Sequence, residues 1–525
     1  MDILIKNGTV FDGTGAPPKK ADIAVSRGKI EGIGTYADIQ AGTIIDAEGK
    51  YIAPGFVDIL NHSDSYLTIL KTPQSESLLR QGITTALIGN CGSSLAPLIH
   101  GNLITSMQKW GDIRGLNINW ERFGEFLAAL SAMKLGVNVA SLVGHATLRR
   151  GFLDHSMEEA SDEQIKKMSR LLSDAFAEGA FGLSFAPAYL HGRPAGSREL
   201  TPLVKLVAEH NGLFSAHLRN EGEKILDSIN EIIGLVKETG VRAEIAHFKI
   251  SGPASWNLNS QALALIDAAI KDGLLIHFDV YPYLRSLVVL YLLFPHWAQE
   301  GGRRAMLDRL KSPEEHQKIA KEIENGQYRD VLGNITVGIA HRDKTFLGKR
   351  ISDIATNQGV SNAEAICNLM TANEGRVSVF IPDISKANLQ FAFMHEASFI
   401  ATSGGGYDES WKNGVELPHP RSFGAFPRAL AVGTRKWNMS WEKLINKMTW
   451  GPAQHIGLLD RGRIDTGMPA DIVVFDPQKI AGRALFKNPF RFAMGIEYVV
   501  VNGKVAVTPK GTQPIYAGQV LRRKH

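Results

Sequence analysis

Through the middle of this chain short apolar segments alternate with helical ones, and three of the apolar segments run out into side chains that bind metals. Cys91 follows Thr84-Thr85-Ala86-Leu87-Ile88-Gly89-Asn90, His217 follows Phe214-Ser215-Ala216, and His247 follows Ala243-Glu244-Ile245-Ala246. Strands that alternate with helices pair in parallel, because a parallel neighbour needs a crossover and the helix supplies one. The pattern predicts strands over 84–88, 137–143, 182–185, 214–217, 242–247, 274–280, 335–339 and 399–403. It predicts helices over 162–177, opened by a capping Ser161, and over 224–239, where Ile225, Ile229, Ile232, Ile233 and Val236 keep the 3.6-residue period. One strand precedes them all. Pro54-Gly55 is a turn, Phe56-Val57-Asp58-Ile59-Leu60 is apolar apart from Asp58, and Asn61-His62-Ser63-Asp64 gathers polar groups at its end.

Such a series closes into an α/β barrel of the TIM (β/α)8 type, which carries its chemistry at the C-terminal rim of the strands. A thiolate and two imidazoles meeting there suit one tightly bound Zn²⁺, with water in the fourth position. The metal lowers the pKa of that water towards ~7 and polarises a carbonyl. Each residue alone reads equally as a buried thiol or a core histidine; three of them at the ends of three strands read as one zinc site. His62 is a candidate ligand of a weak second site, since the alternate position on its strand face is Leu60 rather than a second histidine.

The two ends of the chain read differently. Residues 1–53 hold short strands around Asn7-Gly8 and Asp12-Gly13 turns, and residues 456–525 return to the same composition with Ile472-Val473-Val474-Phe475 and Tyr498-Val499-Val500-Val501. These ends are expected to form one small β-sandwich around a barrel spanning 54–455. Residues of about 285–345, with Trp297, Gly301-Gly302 and a charged helix, break the rhythm and read as an insertion at the rim, where substrate-recognition segments sit. The net charge of +5 is small for 525 residues, and the one basic run is Arg522-Arg523-Lys524, so a nucleic-acid partner has little support. Two distant cysteines, no basic leader before an apolar run and no long apolar run predict a cytoplasmic protein without disulfides or a membrane span.

Further polar residues fall at strand ends. Lys249 shares the direction of His247; Asp279, Tyr281 and Tyr283 end another strand; Arg219 and Glu221 follow His217; Gly144-His145 closes the 137–143 segment. Arg421, in His419-Pro420-Arg421, offers a planar fork for a carboxylate, or else an ordinary ion pair.

Taken together these blocks resemble the amidohydrolase superfamily and, within it, the N-acyl-D-amino-acid deacylase (D-aminoacylase) family. The resemblance runs through Pro54-Gly55-Phe56-Val57-Asp58, Gly89-Asn90-Cys91-Gly92, Gly144-His145-Ala146-Thr147-Leu148-Arg149, His217-Leu218-Arg219-Asn220-Glu221, Ala246-His247-Phe248-Lys249, Tyr281-Pro282-Tyr283, His419-Pro420-Arg421 and Ala470-Asp471-Ile472-Val473. It implies a barrel with a terminal β domain, zinc on Cys91, His217 and His247, and substrate contacts from Lys249, Tyr281 or Tyr283, and Arg421. Arg421 would take the carboxylate of an N-acyl-D-amino acid, hydrolysed to a carboxylate and a free amino acid. Two positions depart from the pattern. Leu60 replaces a histidine, and Gly404 in Thr402-Ser403-Gly404-Gly405-Gly406 stands where the family has its catalytic aspartate. A relocated base is then required. Asp408, swinging in on a mobile glycine loop, is the first candidate, with Asp64 and His145 next. A weak or inactive homologue that binds an acylated amino acid or a partner is the alternative, and a cyclic-amide hydrolase a lesser one.

Overall fold

The computed structural model describes residues 1–37, 40–99, 113, 115–154, 156–413 and 416–523; Lys524 lies outside them. Eight parallel strand positions make the barrel. They are Phe56–Asp58, Ile83–Ile88, Asn138–Ser141 continued by Val143–Gly144, Gly182–Phe185, Leu213–Ala216, Arg242–Ile245, Ile276–Val280 and Ser398–Ile400. Most of these strands are apolar with no exposed alternate residue, as in Leu213-Phe214-Ser215-Ala216, because helices cover the outside and packed side chains fill the inside. The helix Asp162–Ala177 starts where Ser161 Oγ accepts from the Gln164 N–H and Gln164 Oε1 accepts in return from the Ser161 N–H.

The barrel closes without a regular ladder. Ser403 N–H donates to Leu60 O at 2.9 Å and His62 N–H donates to Gly404 O at 2.7 Å. Beneath this seam lies Asp58, fully buried. Its Oδ1 accepts from the Thr402 N–H at 2.8 Å, and its Oδ2 accepts from Asn61 Nδ2 at 2.8 Å and from the Thr402 hydroxyl. Burial pushes this carboxyl up to about 6 despite the donors.

The two chain ends build one nine-stranded sheet. Its centre is the antiparallel pair of Tyr51–Pro54 with Ile472–Phe475, so the start and the end of the chain meet strand to strand. Ile472 and Val474 face a core with Ile5, Ile23 and Ile52. Val473 and Phe475 face the barrel's own core. Both faces are buried, and the strand is apolar throughout. The Asn7-Gly8 pair does not turn the chain. It is an irregularity within the single strand Ile3–Val10, with Asn7 at φ 66°.

The insertion is longer than its composition suggested. It carries a three-stranded antiparallel sheet of Ser286–Val289, Val377–Ile381 and Thr336–Ala340, and a separate apolar core with Phe294, Ile319, Ile366, Cys367 and Val379. The segment predicted as a barrel strand over 335–339 belongs to this sheet. Ile335, Val337 and Ile339 satisfy either environment, and the antiparallel partner decides. Both cysteines are free. Among the described residues no helix is long and apolar enough to cross a membrane.

One buried carboxylate ties the insertion to the barrel. Asp383 accepts from Ser286 N–H at 3.2 Å, Ser286 Oγ at 2.8 Å and Ser251 Oγ at 2.5 Å, where Ser251 follows the sixth barrel strand. Asp383→Ala strands these buried donors and is expected to cost about 3 kcal/mol. Urea unfolding checks it; an unchanged midpoint would show that water replaces the carboxylate without loss.

A candidate metal centre at the barrel rim

The turn after Ile83–Ile88 presents Cys91. Gly89 at φ +78° and Cys91 at φ 51° are left-handed, and a Cβ on Gly89 would stand 2.2 Å from Leu142 O, so only glycine fits there. His217 follows Leu213–Ala216, anchored by its N–H to Phe185 O at 2.9 Å. His247 follows Arg242–Ile245 at φ 39°, and its N–H donates to Asp279 Oδ2 at 3.0 Å. Left-handed backbone at Cys91, His247 and Ser403 costs ~1–3 kcal/mol each, and all three residues line one cavity.

The metal-ligating atoms of Cys91, His217 and His247 all lie within 4.8 Å of one another. Cys91 Sγ is 3.5 Å from His247 Nε2, close to the about 3.6 Å that separates two donors on a tetrahedral zinc. The residues therefore fit the ion. Glu221 Oε1 lies 3.1 Å from His247 Nδ1, which directs a proton to Nδ1 and leaves Nε2 facing Cys91. Burial pushes the Cys91 thiol far above its ordinary value, and Asp279 and Glu221 add to this, so thiolate here needs a cation. Burial also lowers the His247 imidazole, with Lys249 contributing.

Around these three the cavity has about 50 Å³ of free space. Lys249 and Arg421 line it, both nearly fully buried. Lys249 Nζ is 2.6 Å from Glu221 Oε1. Burial alone would raise the Glu221 carboxyl, but Lys249 and the two ligand imidazoles outweigh it and hold the group ionised. Arg421 opens the helix Arg421–Trp437. Its N–H donates to His419 Nδ1 at 3.0 Å, and its guanidinium lies 4.6 Å over the Tyr281 ring. Its Nε is buried with no hydrogen-bond partner. Tyr281 lines the cavity; Tyr283 does not. The Tyr283 hydroxyl donates to Pro420 O at 3.3 Å and its ring supports His419, so it stands behind Arg421.

His62 lines the cavity with Nε2 3.9 Å from Cys91 Sγ, and burial followed by the Arg421 charge keeps it neutral. Leu60 packs into the barrel interior with Val57 and Leu87 and offers nothing to a second metal. Asp408 is not brought to the site. Its Oδ1 accepts from Ser410 N–H at 2.9 Å and from the Ser410 hydroxyl. The glycine run before it is no free loop: Gly405 N–H donates to Ser422 Oγ and Gly406 N–H to Ser63 Oγ, and the run is buried. His145 is also elsewhere, with Nε2 2.7 Å from Glu199 Oε1. Asp64 lies beneath the Cys91 turn, where Oδ2 accepts from Gly89 N–H at 2.9 Å and burial pushes the carboxyl up to about 7.

Tyr66, Tyr189, Leu287 and Val288 also line the wall. The first two follow the ends of barrel strands, a placement that strand-end position alone points to; the last two belong to the insertion's edge strand, and nothing in their sequence marks them. A Cβ on Gly404 would stand 2.5 Å from Ser422 Oγ and 3.1 Å from Ser422 Cα, so this glycine lets the helix that carries Arg421 approach the seam.

The comparisons with known proteins agree with this geometry. A D-aminoacylase of Alcaligenes xylosoxydans xylosoxydans is 31% identical over 526 residues, covering 100% of this chain and 98% of the relative. An N-acyl-D-glutamate deacylase of the same organism is also 31% identical, covering 100% and 97%. The crystal structure of the N-acyl-D-glutamate deacylase from Bordetella bronchiseptica, complexed with zinc and a phosphonate mimic of the reaction's tetrahedral intermediate, superposes with a TM-score of 0.85 at 29% identity over 100% of both chains. The amidohydrolase family model matches residues 43–285 and 403–507, and the gap between them holds the insertion. The chain belongs to the amidohydrolase family.

Proposed function

We propose that this chain is a zinc-dependent deacylase that hydrolyses the amide of an N-acyl-D-amino acid. One observation carries the reading: three metal-ligating side chains share a cavity with a buried guanidinium that pairs with no carboxylate among the described residues. Cys91, His217 and His247 hold the zinc, which supplies Lewis acidity at the scissile carbonyl and lowers the pKa of water towards ~7. Glu221 fixes the His247 tautomer through Nδ1. Arg421 clamps the substrate's α-carboxylate with its planar fork, held in place by the Tyr281 face. Lys249 has protons beyond the one it gives Glu221 and offers them to the acyl oxygen.

The proton acceptor must replace the carboxylate that Gly404 lacks. Among the described residues lining the cavity, Glu221 is held by Lys249 and His247, and the zinc takes two of the imidazoles. His62 Nε2 is what remains, a neutral imidazole beside Cys91. It takes the proton from water and returns it to the leaving amine. A second reading draws on the same glycine: without a carboxylate at 404, the chain binds acylated amino acids and turns them over poorly or not at all.

Elemental analysis is expected to find about one zinc per chain, lost in Cys91→Ser. A wild type without metal after zinc is supplied would end the hydrolase reading. His62→Gln is expected to keep the zinc and lower kcat ~10²–10⁴-fold on N-acetyl-D-amino acids. Unchanged turnover in that variant removes His62 as the base. Zinc-loaded wild type that binds these compounds without hydrolysing them favours the binding reading.

A further inference from the structure

A water that hands one proton to His62 can still turn about that hydrogen bond. Attack needs its lone pair held on the scissile carbonyl, so a second acceptor has to fix the other hydrogen. Position 404 does not supply one. A Cβ built on Gly404 meets Ser422, and neither residue lines the cavity. Ser403, one residue earlier, does line it.

Ser403 stands across the seam from His62. Its N–H donates to Leu60 O at 2.9 Å, and the next carbonyl, Gly404 O, accepts from the His62 N–H at 2.7 Å. Gly404 N–H donates to Thr402 Oγ1 at 3.0 Å. These bonds hold Ser403 at φ 46°, left-handed backbone that a serine rarely adopts. Strain of this kind persists only where the surroundings over-determine it, and it gathers at ligand contacts. The Ser403 Oγ is buried and has no hydrogen-bond partner. Two other polar groups of the wall are committed. Ser286 Oγ donates to Asp383 Oδ2 at 2.8 Å. Asn90 Nδ2 donates to Leu87 O at 2.9 Å, and its Oδ1 accepts from Ser215 Oγ at 3.0 Å. A hydroxyl has one donor and two acceptor sites and rotates to suit a partner, so Ser403 is equipped to hold a water in this cavity.

Resting on the deacylase reading above, we propose that Ser403 is a further catalytic residue, whose hydroxyl accepts the second hydrogen of the attacking water while His62 Nε2 takes the first. The two acceptors face each other across the seam and turn the water's lone pair to the carbonyl. The water oxygen bonds to the carbonyl carbon, His62 passes its proton to the amine, and the C–N bond breaks. Ser403 keeps its own proton throughout. The other hydrogen stays on the new carboxyl group and leaves when the product ionises. In the tetrahedral state the same hydroxyl hydrogen-bonds the oxygen that came from water.

The test uses zinc-loaded full-length protein as wild type, Ser403→Ala and Ser403→Gly. The substrate is whichever of N-acetyl-D-leucine and N-acetyl-D-glutamate the wild type hydrolyses faster, and the tetrahedral probe is its methylphosphonamidate analogue. Both variants are expected to keep the zinc, to hold KM within about 2-fold and to lower kcat at least about 10-fold. Calorimetry is expected to show the Kd of the phosphonamidate rising by a similar factor, with that of the free D-amino acid unchanged. A role in the backbone alone predicts otherwise, because Ser403→Gly relaxes the left-handed turn and would then match wild type. Wild-type kcat and phosphonamidate affinity in either variant overturn the proposal and leave the deacylase reading standing, and loss of zinc from both variants overturns it too. A wild type that hydrolyses neither compound ends the deacylase reading, and the phosphonamidate then decides the present one. Binding at least about 10-fold weaker in both variants supports the Ser403 contact; equal binding, or none, overturns it.

Discussion

The seam between the first and last barrel strands is the constraint on which the site depends. Two backbone hydrogen bonds, Ser403 to Leu60 and His62 to Gly404, join strands that otherwise share no ladder, and Asp58 pins Thr402 from below. The seam fixes His62 on one side and the Ser403-Gly404 turn on the other. It also sets how near the helix opening at Arg421 can come, because Ser422 packs on the bare Cα of Gly404. Glycine at 404 and close approach of the helix that opens at Arg421 therefore go together. A side chain at 404 would require the Ser422 hydroxyl to turn away and the backbone there to give by a few tenths of an ångström.

Charge in the cavity is arranged by burial. Glu221 would not stay ionised there alone; Lys249 and the two imidazoles make it do so. In return Glu221 orients His247 and cancels Lys249. The result is a site whose metal ligands are positioned by a closed group of neighbours, and whose Arg421 pairs with no carboxylate among the described residues. A buried guanidinium whose Nε has no partner is costly in an empty pocket and well matched to a carboxylate.

Much of this was legible in the sequence because a parallel barrel brings strand ends to one rim. Given the strands, the meeting of Cys91, His217 and His247 needed no further information, and Lys249 followed from its two-residue offset to His247. Arg421 was placed by the resemblance and not by periodicity, since it lies at a helix start. Asp408 misled because three glycines in a row suggest freedom, whereas side chains from Ser63 and Ser422 hold their N–H groups. The resemblance offered Tyr281 or Tyr283, and of the two it is Tyr281 that lines the cavity. The segment 335–339 misled because a short apolar run carries no record of whether its partner is parallel or antiparallel.

The insertion stands apart from the elements that carry the candidate metal ligands. All three ligands, Lys249 and Arg421 stand on the barrel strands or the elements that follow them, within residues that the family pattern spans. Leu287 and Val288 stand in the stretch that it leaves out. The insertion has its own apolar core, while Leu287, Val289 and Phe380 of its sheet pack with Tyr66, Tyr407 and Phe423. Asp383 nevertheless fixes its entry strand at Ser286, next to Leu287, to the loop just beyond Lys249. A tether at that point holds the insertion's side of the cavity wall against the side that carries the candidate metal ligands.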